Sequence, residues 1–118
     1  MKTLVIGASE NTARYANRAA QSLLQHGHAI ELIGLKAGQI QGYPIQTGLP
    51  TLNDVDTVTM YVGARNQAGY VDYLKDLKPR RVIFNPGAEN PELAQQLKKE
   101  GIEPIEACTL VMLSIGNY

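Results

Sequence analysis

Three scarcities narrow the field. The chain has one cysteine, Cys108, so it has no internal disulfide framework. It has no apolar run near the ~18–20 residues of a membrane span, and "MKTLVIGASEN" is too short for the ~7–15 apolar residues of a signal-peptide core. It also has no excess charge. Eleven basic residues balance eleven acidic ones, so no overall positive field exists to hold nucleic acid or a membrane surface. Together these predict a cytoplasmic protein with no nucleic-acid and no membrane partner.

Catalytic signatures are missing as well. There is no H-E-x-x-H, no G-x-S-x-G, and no paired Cys or His at metal-ligand spacing. Ser9 and Ser114 have no neighbouring histidine, and Asp54 and Asp56 read as turn residues. The two histidines, His26 and His28, flank Gly27 at the far end of the first predicted helix, where they suit the helix-terminal dipole. No metal site and no catalytic residue is expected.

What is present is alternation. At 118 residues, 44% hydrophobic and 19% charged, the chain suits one domain, 1–118, with a real core. "TLVIG" (Thr3–Gly7) reads as a buried first strand, too uniformly apolar for a solvent face. From Arg14 to His26, Ala16, Ala19, Ala20, Leu23 and Leu24 recur at helical spacing, and Gly27 sits where a C-terminal cap belongs. A second strand follows at Ala29–Leu35. The stretch "KAGQIQGYPIQTGLPTLNDV" holds five Gly and Pro residues and no steady period, so it reads as a surface crossing.

Thr57–Val62 is a third strand. "NQAGYVDYLKDLK" is a second helix, with Val71, Leu74 and Leu77 on one face and Pro79 closing it. Arg81–Phe84 is a fourth strand. "PELAQQLKKE" is a third helix, with Asn90 as N-cap, Pro91 at the first position and Gly101 after the end. "IEPIEA" offers a fifth strand, and "CTLVMLSIGNY" a closing apolar helix or turn. Strand and helix in alternation predict an α/β, three-layer, Rossmann-like fold. The expectation is a five-stranded parallel sheet, ordered 3-2-1-4-5, with helices on both faces.

A ligand of such a sheet sits at the carboxyl ends of the strands. In the first loop, Gly7 allows close approach, Ala8 and Ser9 keep the turn small, and the next helix points its positive end at the crevice. Ser9 and Asn11 add donors and Arg14 a charge, which suits a phosphate; the plainer reading is a tight turn capped by Ser9 or Thr12. The dinucleotide spacing G-x-G-x-x-G is absent, as is a P-loop lysine. Where an NAD site carries Asp or Glu, this chain has Lys36, which favours a ribose bearing an extra phosphate: NADP, or coenzyme A. Pro86-Gly87 suits the centre of a type II turn. Tyr61 and Val62 either line an adenine slot or end a buried strand.

With those residues in place, the chain resembles the CoA-binding domain family, small Rossmann-like proteins related to the N-terminal domain of the succinyl-CoA synthetase alpha subunit. The likeness spans essentially the whole chain. "VIGAS" with Arg14, "GLK", "TLNDV", "YVG" and "NPGAENPE" followed by "EACT" carry it by their order and spacing. It implies CoA across the carboxyl edge of the sheet. Gly7, Ala8, Ser9 and Lys36 would engage phosphates, Tyr61, Val62 and Gly63 the nucleotide side, and Asn85, Pro86, Gly87 and Ala88 the opposite loop. Small members carry Pro and Ser before the first helix, where this chain reads "TARYAN".

The leading reading is therefore a small-molecule binder without catalysis, holding coenzyme A or an acyl-CoA as a sensor or regulatory module. Cys108, after strand five, is placed to exchange with a CoA thiol or to be an ordinary core cysteine. Two other readings stay open: an NADP-binding reductase-like protein, and a protein-interaction domain whose nucleotide site has decayed. Oligomeric state and protein partners are not encoded in any pattern recognised above.

Overall fold

A computed structural model describes residues 2–118. Among the described residues there are seven strands: β1 (Lys2–Ile6), β2 (Ala29–Ile33), β3 (Gly38–Ile40), β4 (Tyr43–Gln46), β5 (Val55–Met60), β6 (Arg81–Phe84) and β7 (Glu103–Glu106). The α-helices are α1 (Tyr15–Gln25), α2 (Val71–Leu77), α3 (Pro91–Lys99) and α4 (Thr109–Ser114). The strands form one sheet ordered β3-β4-β2-β1-β5-β6-β7. Every pairing is parallel except the β3–β4 hairpin.

This corrects the expected five strands and their order. The supposed crossing contains β3 and β4, and β4 lies parallel to β2 through Leu32–Ile45 and Ile33–Gln46. That edge of β2 is thus occupied, and β5 pairs with the free edge of β1 instead. In the numbering of the five expected strands, the order is 2-1-3-4-5 rather than 3-2-1-4-5. The reversal point lies between β1 and β5.

Layering follows from alternation along the buried strands. On one face Leu4, Ile6, Val58, Met60, Val82 and Phe84 pack with Leu74 of α2 and Leu93 and Leu97 of α3. On the other, Val5, Ile30 and Leu32 pack with Ala16, Ala20 and Leu23 of α1 and Leu113 of α4. Right-handed crossovers running in opposite directions from the reversal point put α1 on one face and α2 and α3 on the other.

The local punctuation reads as expected. Gly27 and Gly101 take positive φ (82° and 78°) after α1 and α3. Asn90 accepts the Leu93 N–H at 3.1 Å, and Pro91 occupies the first turn. The second helix is shorter than its pattern: two 3-10 turns, Ala64–Asn66 and Ala68–Tyr70, precede α2, and Lys78 ends it in the left-handed region. Asp56 is no turn residue. It lies in β5 and pairs with Arg80, Arg80 Nε donating at 3.1 Å.

Candidate functional site

The first loop, the hairpin start and the turns after β5 and β6 meet at the carboxyl edge. Gly7 has φ 99°, and a Cβ there would stand 3.2 Å from the Tyr61 backbone. Its N–H and that of Ala8 both donate to the Ile33 carbonyl at 2.9 Å. The Gly7–Ala8 backbone is therefore clamped between β2 and β5, and these two donors are already used. Gly34 makes the clamp possible, since an added Cβ would lie 2.3 Å from the Ala8 carbonyl oxygen. Sequence reasoning passed over Gly34, although a glycine directly after an apolar strand marks a close backbone approach.

Beyond the clamp the loop orders itself. Ser9 Oγ accepts the Asn11 N–H at 3.1 Å, and Asn11 Oδ1 accepts the Ala13 N–H at 2.9 Å. Buried Asn17, in the first turn of α1, donates to the Ser9 carbonyl at 2.8 Å. The N–H groups of Ser9, Glu10 and Thr12 have no acceptor among the described residues. No side chain caps α1 and no acidic residue lies in its first turn, so its positive end is left open. Glu10 turns to the hairpin, where it accepts the Gln39 N–H at 3.0 Å over Gly38.

Two carboxylates at this edge, Glu10 and Glu89, are held on main-chain N–H groups, whereas three cations are not held. Arg14, Lys36 and Arg65 are exposed, and their side chains have no hydrogen bond or ion pair among the described residues. Sequence reasoning had not singled out Arg65, in the turn after β5.

The far wall is only partly as expected. Tyr61 packs toward the α1–α4 face and Val62 toward the α2–α3 face, so their side chains do not share one slot. Burial holds the Tyr61 phenol above its ordinary range, reinforced by Cys108, and its buried oxygen has no hydrogen-bond partner among the described residues. Asn85 is buried and fully engaged within the chain. Its Nδ2 donates to Thr59 Oγ1 and the Met60 carbonyl at 2.7 and 2.9 Å, and its Oδ1 accepts the Thr109 N–H at 2.9 Å. It braces the strand ends against α4.

Pro86-Gly87 form the anticipated turn: Gly87 has φ 92° and the Ala88 N–H reaches the Asn85 carbonyl at 2.8 Å. Gly63 faces this turn, a Cβ on it lying 4.0 Å from the Gly87 carbonyl. Beside the turn opens an apolar cleft of about 250 Å³, lined by Tyr15, Tyr61, Asn85, Pro86, Cys108 and Leu110. A second hollow, of about 400 Å³, lies between α1 and the tip of the β3–β4 hairpin, remote from these loops. No cluster of metal-ligating side chains occurs among the described residues, and no helix among them is long and apolar enough to cross a membrane.

Comparison with known proteins gives the family and the fold. The family profile described as "CoA binding domain" matches residues 1–114. A crystal structure of an uncharacterized protein is 49% identical, with a TM-score of 0.97, covering 99% of this chain and 97% of that one. A Thermus thermophilus structure, cell-free ID.343, is 19% identical at a TM-score of 0.86, covering 99% and 90% of the two chains. The "dinucleotide forming Acetyl-coenzyme A synthetase 1" of Ca. Korarchaeum cryptofilum, in complex with phosphate and ADP, is 17% identical at a TM-score of 0.74. The match covers 90% of this chain and 25% of that one. These last two likenesses speak to fold alone. No curated protein sequence matches significantly.

Proposed function

Because this chain belongs to the CoA binding domain family, we propose that it binds coenzyme A or an acyl-CoA at the carboxyl edge of the sheet, as a sensor or regulatory module without catalysis. One observation carries the reading: beside the point where strand order reverses the α1 N-terminus is uncapped, and the side chains of Arg14, which precedes α1, and Lys36, past the end of β2, are exposed and have no partner among the described residues. The free N–H groups of Ser9, Glu10 and Thr12 suit a pyrophosphate. Lys36, past the end of β2, suits the 3′-phosphate of the ribose, and a carboxylate there would repel it.

The residues fit the rest of the molecule too. The apolar cleft is on the α1 and α4 side of the same edge and suits a pantetheine arm, with Cys108 in its wall. Gly7 and Ala8 contribute by holding the loop in place rather than by their own N–H groups. Asn85 contributes by bracing the wall.

Calorimetry on the purified chain with CoA, dephospho-CoA, NADP and NAD tests the proposal. CoA is expected to bind about tenfold tighter than dephospho-CoA, the weight of one charge-assisted contact. Equal affinities would remove the role given to Lys36. Binding of NADP without CoA would replace the reading altogether.

A further inference from the structure

Between β5 and α2 lies Gln67, fully buried at 0% exposure. A buried amide is costly unless bonded, and this one is bonded to both walls of the crevice. Its Nε2 donates to the carbonyls of Val62 and Ala88, each at 2.7 Å, and its Oε1 accepts from Asn90 Nδ2 at 3.0 Å. The orientation is determined by the chain of partners. Asn90 uses Oδ1 to cap α3, so its NH2 group faces Gln67. Gln67 must then present oxygen to Asn90 and its own NH2 group to the two carbonyls.

Peptide planarity carries this outward. In a trans peptide the C=O and the following N–H point in opposite directions. With the Val62 and Ala88 carbonyls turned in toward Gln67, the N–H groups of Gly63 and Glu89 point away from it. Neither has an acceptor among the described residues. Between them the Gly87 N–H is held by the Glu89 carboxylate at 2.8 Å.

We infer that Gln67 is a positioning residue that aims the Gly63 and Glu89 main-chain N–H groups at an acceptor oxygen of the bound ligand. The inference takes the ligand's identity from the CoA reading above, while the geometry stands independently of it. Two parts of CoA carry suitable oxygens, its phosphates and the amide carbonyls of its pantetheine arm. Both present the same acceptor chemistry.

The test is amide NMR of the ¹⁵N-labelled chain titrated with CoA, with 3′,5′-ADP and with pantethine. CoA is expected to shift the Gly63 and Glu89 amide protons downfield, and the fragment that reproduces the shift identifies the oxygen. Gln67→Met keeps the side-chain length without the hydrogen bonds. It is expected to lose those two shifts, keep those of Ser9 and Glu10, and weaken CoA roughly tenfold. If that variant does not fold, Asn90→Ser retains a capping oxygen, removes the amide that orients Gln67, and is expected to show the same losses. Shifts at Ser9 and Glu10 with none at Gly63 and Glu89 in the natural chain would overturn the inference and leave the CoA reading standing. So would a folded variant binding CoA within about threefold of the natural chain. Absence of any CoA-induced shift would overturn both.

Discussion

The two ends of the sheet use the same kind of residue in opposite ways. At the amino end three cations, Lys2, Arg80 and Arg81, are tied into the fold. Lys2 pairs with Glu31 at 3.5 Å and Arg80 with Asp56. Arg81, 5% exposed, lies over the Tyr118 ring at 4.6 Å, with its Nε on Thr57 Oγ1 at 2.9 Å and a terminal nitrogen on the Tyr118 carbonyl at 3.1 Å. At the carboxyl end, Arg14, Lys36 and Arg65 reach into solvent from loops whose acidic neighbours, Glu10 and Glu89, are held on main-chain N–H groups. Those three amino-end cations stabilise the chain, whereas the carboxyl-end ones are left available for something outside it.

The division can be broken most severely at Gly34. Ala there would drive a methyl into the Ala8 carbonyl, and the expected cost is about 3 kcal/mol of stability, read by denaturant unfolding. CoA affinity should fall with it, because the displaced loop is the one assigned to the phosphates. A variant of natural stability would mean that the clamp between β2 and the first loop is loose.

Arg81→Leu attacks the amino end alone. Thr57 loses the guanidinium, and the Tyr118 carbonyl and ring lose their partner, for an expected loss of about 2 kcal/mol. CoA affinity, measured where the variant is folded, should stay within about twofold, since the sites are far apart and share no partner. A large drop in affinity would show that the two ends are coupled.

Lys36→Ala is the converse: an affinity loss of about tenfold with melting temperature unchanged. Lys36→Glu should weaken CoA further by adding repulsion. Loss of stability in place of affinity would assign Lys36 to the fold.

The smallest expected effect is a pH dependence at the amino end. Burial, with the positive charges of His26 and Arg81, holds the His28 imidazole below 6.5. The unfolded chain then takes up this proton at higher pH than the folded one, so the stabilising contribution is full above 6.5 and is lost as pH falls through the lowered folded value. His28→Gln should flatten this part of a stability-against-pH curve. Asp56, held low chiefly by its hydrogen bond from Arg80, produces a further decline in more acid solution, and that one should survive the substitution.

Much of this was legible in the residues because it is local. Apolar positions three and four apart make α1, asparagine and proline start α3, and Pro86-Gly87 make their turn whatever the strands do, since each involves neighbours a few residues apart. Gly7, Lys36 and Asn85–Ala88 fall at strand ends for the same reason, so the edge carrying the candidate site was predictable. The tertiary structure alone decided strand order. An apolar strand with two buried faces specifies that it is central, not which neighbour takes which edge. The β3–β4 hairpin, with strands of three and four residues, is too short to show alternation and is held by pairing to β2. It occupies one edge and sends β5 to the other side of β1. Gln67 lay outside any readable pattern as well: Val62 is near it in the chain, but its partners Ala88 and Asn90 are brought to it by long-range packing, and only there does a polar side chain become a buried brace between two loops.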